Sequence, residues 1–309
     1  MVKVLDNLAF KRALDTIARC GRPLERAYAR FLFERGPVAD VLTELSRFQN
    51  DDGGFFGLEP DLRTGISSPI ATSVAWQILD AVDAPSSHSL VQAAYNYTVR
   101  AFDRETLAWN AVGPAANDAP HAPWWTFDPA TGKTQAGSLA NPSAELAGVL
   151  LRRAGATLAS PDWLPALVDR LQGGLLNEST TMEMHDLLCY LHFYAALPTG
   201  VVRDRLADKL TQAGQAIVTR DPAAWSGYGV KPLWLASTPE GLLAEPLRAD
   251  VDANLDWEIE HQADNGGWEP NWSWFGSYPD VWPEAAREWT GVLTIKVLRQ
   301  LAAYNRIGG

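Results

Sequence analysis

The sequence predicts an all-α fold made of helical hairpins, and three observations carry that reading. One is an internal repeat: Gln49-x3-Gly53-x-Phe55 and Gln262-x3-Gly266-x-Trp268 share a Gln, a Gly and an aromatic at equal offsets. Repeats decide architecture before any single element does. Another is that the helix-period segments fall into two kinds. Residues 70–82, 145–151, 184–197 and 288–298 are apolar nearly all round, whereas those near 90–102, 161–173, 202–219 and 248–262 carry one apolar face. A helix apolar on every side is covered on every side and an amphipathic one meets solvent, so inner and outer helices alternate. Finally, no run of strand-like alternation competes with the helices.

From the N-terminus, three helices are expected over about 5–19, 22–35 and 37–49. Pro37 suits a first helical turn, and Val38, Val41, Leu42, Leu45 and Phe48 form the buried stripe of the third. The repeat follows. Its Gln lies in a helix's last turn, where carbonyls have no intrahelical partner and a side-chain amide can serve them. Asp-Gly-Gly or Asn-Gly-Gly then reverses the chain through positive φ angles, and the aromatic folds back over the turn. Further on, Leu206, Leu210, Ala213 and Ile217 face the core while Arg203, Lys209 and Gln212 face away. Long irregular segments at 104–142, 220–247 and 268–283 interrupt the helices. Loops of that length are functional or disordered, and their Trp and Tyr content speaks for an ordered cover over one mouth of the fold.

At 309 residues and 47% hydrophobic composition the chain can bury one large core, so a single domain over 1–309 is expected. The net charge of -11 is dispersed and no basic stripe occurs, which excludes nucleic acid as a partner. No window reaches the ~18 apolar residues of an integral membrane segment. The first twelve residues lack the apolar run of a secretory leader, and Cys20 and Cys189 are too few for a disulfide framework. A cytoplasmic protein with free thiols is the expectation, and the sequence leaves its oligomeric state open.

The C-terminal copy of the repeat, Trp257 to Trp268, resembles the Gln-Trp repeat of the terpenoid cyclase and protein prenyltransferase superfamily, with the aromatic Trp257 five residues before Gln262. It departs from that pattern at Glu258, where the family places an aliphatic residue. The N-terminal copy has Leu45 at that aliphatic position, but Glu44 where the aromatic belongs. The resemblance implies an α/α toroid, a barrel of alternating inner and outer helices. It also implies an enzyme acting on a small hydrophobic isoprenoid by acid/base carbocation chemistry, in a pocket where indole faces stabilise cations. In that superfamily, residues just after each turn enter the inner barrel. The register selects Ser68 and Thr72, then Asn141 and Glu145, then Glu183, His185 and Asp186, and last Glu284 and Glu288.

Catalytic candidates are therefore Glu145 and Glu288 as acids, His121 or His185 as proton acceptor, and Asp186 beside them. Substrate-binding candidates are Thr72, Trp124, Trp125, Asn141, Tyr228, Trp272 and Trp274. The carboxylates could equally be first-turn helix residues stabilised by the helix dipole. His121, in Pro-His-Ala-Pro-Trp-Trp, could equally be a plug closing one end of the barrel. His185, Cys189 and His192 share one helix face, yet three ligands over two turns span too far for one tetrahedral ion. Cys189 and His192 are read as packed core, and no metal or other cofactor is expected. The Asp-x-Asp-Asp and Asp-Asp-x-x-Asp motifs of terpenoid cyclases, phosphate loops and nucleophile elbows are absent. Two other readings stand beside this one: a carbohydrate-active α/α-toroid lyase or hydrolase, and a non-catalytic barrel that binds a lipid or peptide.

Overall fold

Helices stand at each segment the periodicity marks. The structure, a computed structural model, describes residues 2–155 and 157–308. Among the described residues there are twelve α-helices, three short 3₁₀ turns and no strand, only isolated bridges. The helices are α1 (Asn7–Cys20), α2 (Pro23–Glu34), α3 (Val38–Ser46), α4 (Pro69–Ala81), α5 (Ser89–Arg100) and α6 (Ser143–Arg153), followed by α7 (Leu164–Asn177), α8 (Met184–Ala196), α9 (Val201–Ile217), α10 (Pro232–Leu235), α11 (Arg248–Glu260) and α12 (Trp282–Ala303). Only α10, a single turn inside the expected loop at 220–247, has no periodic signal. Local chemistry sets the starts. Asp6 accepts Ala9 N at 2.7 Å to cap α1, and Ser68 accepts Ala71 N at 3.2 Å to cap α4, with Pro69 in the first turn.

The chain divides into two compact units, Met1–Glu44 with Gly214–Gly309, and Leu45–Ala213. In the first, α1 packs on α12 and α2, and α11 packs on α10. The ends of the described chain meet here: Leu5 N donates to Arg306 O at 2.8 Å and Gly308 N donates to Leu5 O at 2.9 Å. Asp252 and Asp256, which the helical register puts on the outer side of α11, serve this junction by pairing with Arg306 at 2.9 and 2.6 Å. In the second unit α6 packs on α8, α7 and α4, and α4 packs on α5. Every residue of α6 from Ser143 to Leu150 is buried, Ser143 and Glu145 among them.

The two Gln turns fold alike. Gln49 Nε2 donates to Gly53 O at 2.9 Å and to Leu90 O of α5 at 3.0 Å. Gln262 Nε2 donates to Gly266 O at 2.7 Å and to Ala9 O of α1 at 2.9 Å. Each amide thus pins its own turn and the first turn of a neighbouring helix. In this role α1 stands to α12 as α5 stands to α4.

Candidate acid/base site

In the Leu45–Ala213 unit, three helices bring one carboxylate, one amide and one imidazole together. Glu145, in the first turn of α6, is buried. Its Oε1 accepts from Gln77 Nε2 of α4 at 2.8 Å and lies 2.9 Å from His192 Nδ1 of α8. A carboxylate only accepts, so Nδ1 carries the proton and Nε2 is the free position.

The sequence prepares this meeting. Gly148 lets α6 approach α8 so closely that a Cβ there would lie 3.1 Å from His192 O. Asp80, in the last turn of α4, takes Arg153 at 2.6 Å and Arg152 at 2.7 Å from the end of α6, which holds the two helices in register. His192 keeps about half its side-chain surface open, 49%. Crowding by protein works against its protonation, but the charge and hydrogen bond of Glu145 outweigh that and raise its pKa above the ordinary imidazole value. The core role read for His192 is therefore corrected: its ring is open and paired. Cys189 is buried as read, and desolvation followed by the charges of Glu145, Asp186 and Glu183 raises its pKa well above the usual thiol range.

The other residues singled out in the sequence take varied places. Glu183 caps α8, accepting His185 N at 2.6 Å and Asp186 N at 3.3 Å, and His185 Nδ1 lies 2.8 Å from the same carboxylate. Asp186 accepts the Ser138 hydroxyl, and burial raises its pKa against that bond. His121 is buried with both ring nitrogens engaged, Nδ1 with Ala119 O at 2.7 Å and Nε2 with Thr126 Oγ1 at 3.0 Å, the geometry of a plug. The imidazole at Glu145 is therefore His192, and neither His121 nor His185. Asn141 is buried, donating to Ala136 O at 3.1 Å, and Thr72 is fully buried with its hydroxyl oxygen accepting from Phe55 N at 3.1 Å. Trp125 is buried in the core and Trp124 is half-buried. A cleft of about 460 Å³ in this unit is walled by Glu105, Trp109, Lys133, Ser138 and Arg170, and none of Gln77, Glu145 or His192 lines it. The convergence of three helices on one carboxylate is the stronger mark of a site.

Glu288 belongs to the other unit. It is buried and lies 3.8 Å from Arg22, which also holds Glu25 at 2.7 Å at the start of α2. In the same unit the loop aromatics form a continuous edge-to-face series: Trp234 with Tyr228 at 6.1 Å, Tyr228 with Trp272 at 5.9 Å, and Trp272 with Trp289 at 5.1 Å. Trp274 is buried against Tyr278 and Trp282. Two ammonium groups rest on indole faces, Lys231 on Trp257 at 4.3 Å and Lys296 on Trp234 at 4.1 Å. Among the described residues no three His, Cys, Asp or Glu side chains are placed to hold a metal ion, and no helix is long and apolar enough to cross a membrane.

No family model matches the chain, and no curated protein matches it. Gln77, Lys231 and Lys296 were not reached from the sequence, and His192 was read as packed core, because what marks them is contact between residues far apart in the chain. Only Glu258 left a local signal, an acid where the resembled repeat carries an aliphatic side chain.

Proposed function

We propose that this chain is an α/α-toroid enzyme that moves a proton at His192 on a small hydrophobic substrate of the isoprenoid class. The observation that carries the reading is the Glu145–His192 pair, a buried carboxylate that fixes the tautomer and orientation of a solvent-open imidazole. Such an arrangement suits a general base, whose contribution is typically about 10²–10⁴-fold in rate. An imidazolium with a raised pKa is too weak an acid to protonate an alkene. Glu145 already accepts two hydrogen bonds on one oxygen, so its part is orientation and the proton passes through Nε2. The chemistry that fits is removal of a proton beside a double bond or from an allylic cation, giving an isomerase or lyase. The toroid is supported by the matched Gln turns and by chain ends that meet.

A carbohydrate-active lyase or hydrolase is the second reading. Tyr228 is 55% exposed at the edge of Trp272, an aromatic surface of the kind that sugar rings stack on. One experiment separates the two. Mono-, sesqui- and diterpenoid alcohols and diphosphates, and uronate-containing oligosaccharides, are incubated with the protein in deuterated buffer. Isomerised or deuterated isoprenoid is expected from the wild type, with a loss of about a hundredfold in His192→Ala assayed well below its melting temperature. Turnover of the oligosaccharides alone would transfer the site to the second reading, and equal turnover by the variant would remove His192 from either.

A further inference from the structure

A cluster of charged and aromatic side chains lies in the Met1–Glu44, Gly214–Gly309 unit, apart from the Glu145–His192 pair. Three elements build it. Lys231 precedes α10, Glu258 projects from α11, and Lys296 projects from α12. Lys231 Nζ binds Glu258 Oε1 at 2.9 Å, and Glu258 is 3% exposed. Its other oxygen, Oε2, is buried and has no hydrogen-bond partner among the described residues. Leaving a carboxylate oxygen bare in a protein interior is costly, and Glu258 is near enough to Lys296 for its charge to act on that amine although the two form no ion pair. Lys296 Nζ likewise makes no hydrogen bond or ion pair among the described residues, and its contact is the face of Trp234 at 4.1 Å. The wall beside it is indole: Trp289 lies two turns earlier on α12 and joins Trp234 through Trp272 and Tyr228.

We propose that Lys296 is a carbonyl-capturing amine, whose Nζ forms an imine with an apolar aldehyde or ketone held against the Trp234–Trp289 wall while Glu258 relays the protons. The ammonium form of Lys296 first gives one proton to Glu258, which frees the Nζ lone pair and loads the carboxylic acid; that lone pair forms the nitrogen–carbon bond as the carbonyl π pair moves to oxygen. A proton passes from that nitrogen through Glu258 Oε2 to the oxygen, giving the carbinolamine. The hydroxyl then takes a proton from Glu258 and leaves as water, the C=N bond forms, and the last N–H proton returns to Glu258. No oxidant or reductant enters. The surroundings favour the free amine: burial lowers the Lys296 pKa to about 8, with Glu258 opposing the shift and the charge of Lys231 adding to it. Near neutrality that gives on the order of a hundredfold more reactive base than an ordinary lysine holds. The aromatic wall selects apolar carbonyls over anionic ones.

The test is reductive trapping on the full chain at about pH 7, with benzaldehyde and cyanoborohydride, followed by peptide mapping. Lys296 is expected to be labelled at least tenfold faster than Lys3, Lys11, Lys133 and Lys209. Glyoxylate should label it more slowly than benzaldehyde does. Glu258→Gln should slow capture at Lys296 severalfold and leave the other lysines unchanged, and Lys296→Arg should abolish the fast label. Labelling of Lys296 no faster than those four lysines overturns the proposal, and the wild-type map alone decides this if a variant fails to fold.

Discussion

Thr72 and Thr294 hold the same position in two copies of one structural unit. Each is fully buried, and each hydroxyl accepts the backbone amide of the aromatic that closes a Gln turn, Phe55 N at 3.1 Å and Trp268 N at 3.1 Å. The match continues around them: Asp52 Oδ1 accepts Gly54 N at 2.9 Å, and Asn265 Oδ1 accepts Gly267 N at 2.9 Å. An amide this deep needs a partner, and the following helix supplies one.

Replacing Thr72 or Thr294 by Val keeps the volume and removes the acceptor. Each change should lower stability by about 1–3 kcal/mol, the cost of a buried orphan N–H, and Gln262→Ala should cost a similar amount. Urea denaturation measures it, and a Val variant as stable as the wild type would show that the amide finds another partner.

Gly53 and Gly266 are the positions where no side chain fits. Their φ angles are +83° and +90°, and an added Cβ would lie 2.3 Å from Ala93 O and 2.7 Å from Arg12 O. Gly→Ala at either position combines backbone strain with a clash against a neighbouring helix, so losses above about 3 kcal/mol are expected. Gly132, also at positive φ but with open space beside it, should tolerate Ala with a loss of about 1 kcal/mol. Similar losses at all three glycines would mean that the close approach of the helices contributes nothing.

The helices were legible because burial writes a period into the sequence, and the turns because a positive φ needs Gly. Glu145 was legible only through the register that the resembled superfamily lends to its inner helices. His192 lies on an apolar helix whose composition reads as core, and nothing local says that Glu145, 47 residues away, pairs with it. Thr72 shows the reverse: the register that selects it for a pocket also places it behind the turn, where its hydroxyl is used structurally. Lys296 looks like a surface lysine until folding lays its ammonium group on the face of Trp234.

The Glu145–His192 pair should make stability depend on pH in one direction. Its imidazole has a folded-state pKa above the unfolded value of about 6.5. The pair's contribution is therefore fully present below that value and fades as pH rises through the folded pKa. The stability difference between wild type and His192→Gln should shrink across that interval. By NMR the His192 titration should move to lower pH in Glu145→Gln. An unchanged midpoint would mean the carboxylate does not set it.

The two thiols should react in a fixed order. Cys20 is half-buried, whereas Cys189 is buried and its thiolate is disfavoured first by desolvation and then by Glu145, Asp186 and Glu183. In the native protein iodoacetamide should modify Cys20 and spare Cys189, and in urea both should react. Early modification of Cys189 would reveal an opening of the α6–α8 contact.

The pairing of α1 with α12 makes a prediction about chain order itself. Gln262 pins α1 as Gln49 pins α5, although α5 follows its partner helix in sequence and α1 precedes its own by most of the chain. If the unit is defined by contacts rather than by order, joining residue 308 to residue 2 through a short Gly-Ser linker turns α12 and α1 into a covalent hairpin like that of α4 and α5. The bridge between Leu5 and Ile307 already holds the two segments side by side. New ends can open between Pro198 and Thr199, an exposed stretch between α8 and α9. That permutant should fold cooperatively and melt within a few degrees of the parent, because no buried contact is cut. A permutant opened between Asp52 and Gly53 carries the same linker but severs the Gln49 turn and frees the amides that Asp52 and Thr72 hold, so it should lose about 3 kcal/mol or more. Equal stability of the two permutants would refute the assignment of the Gln turn as the unit on which the fold is built.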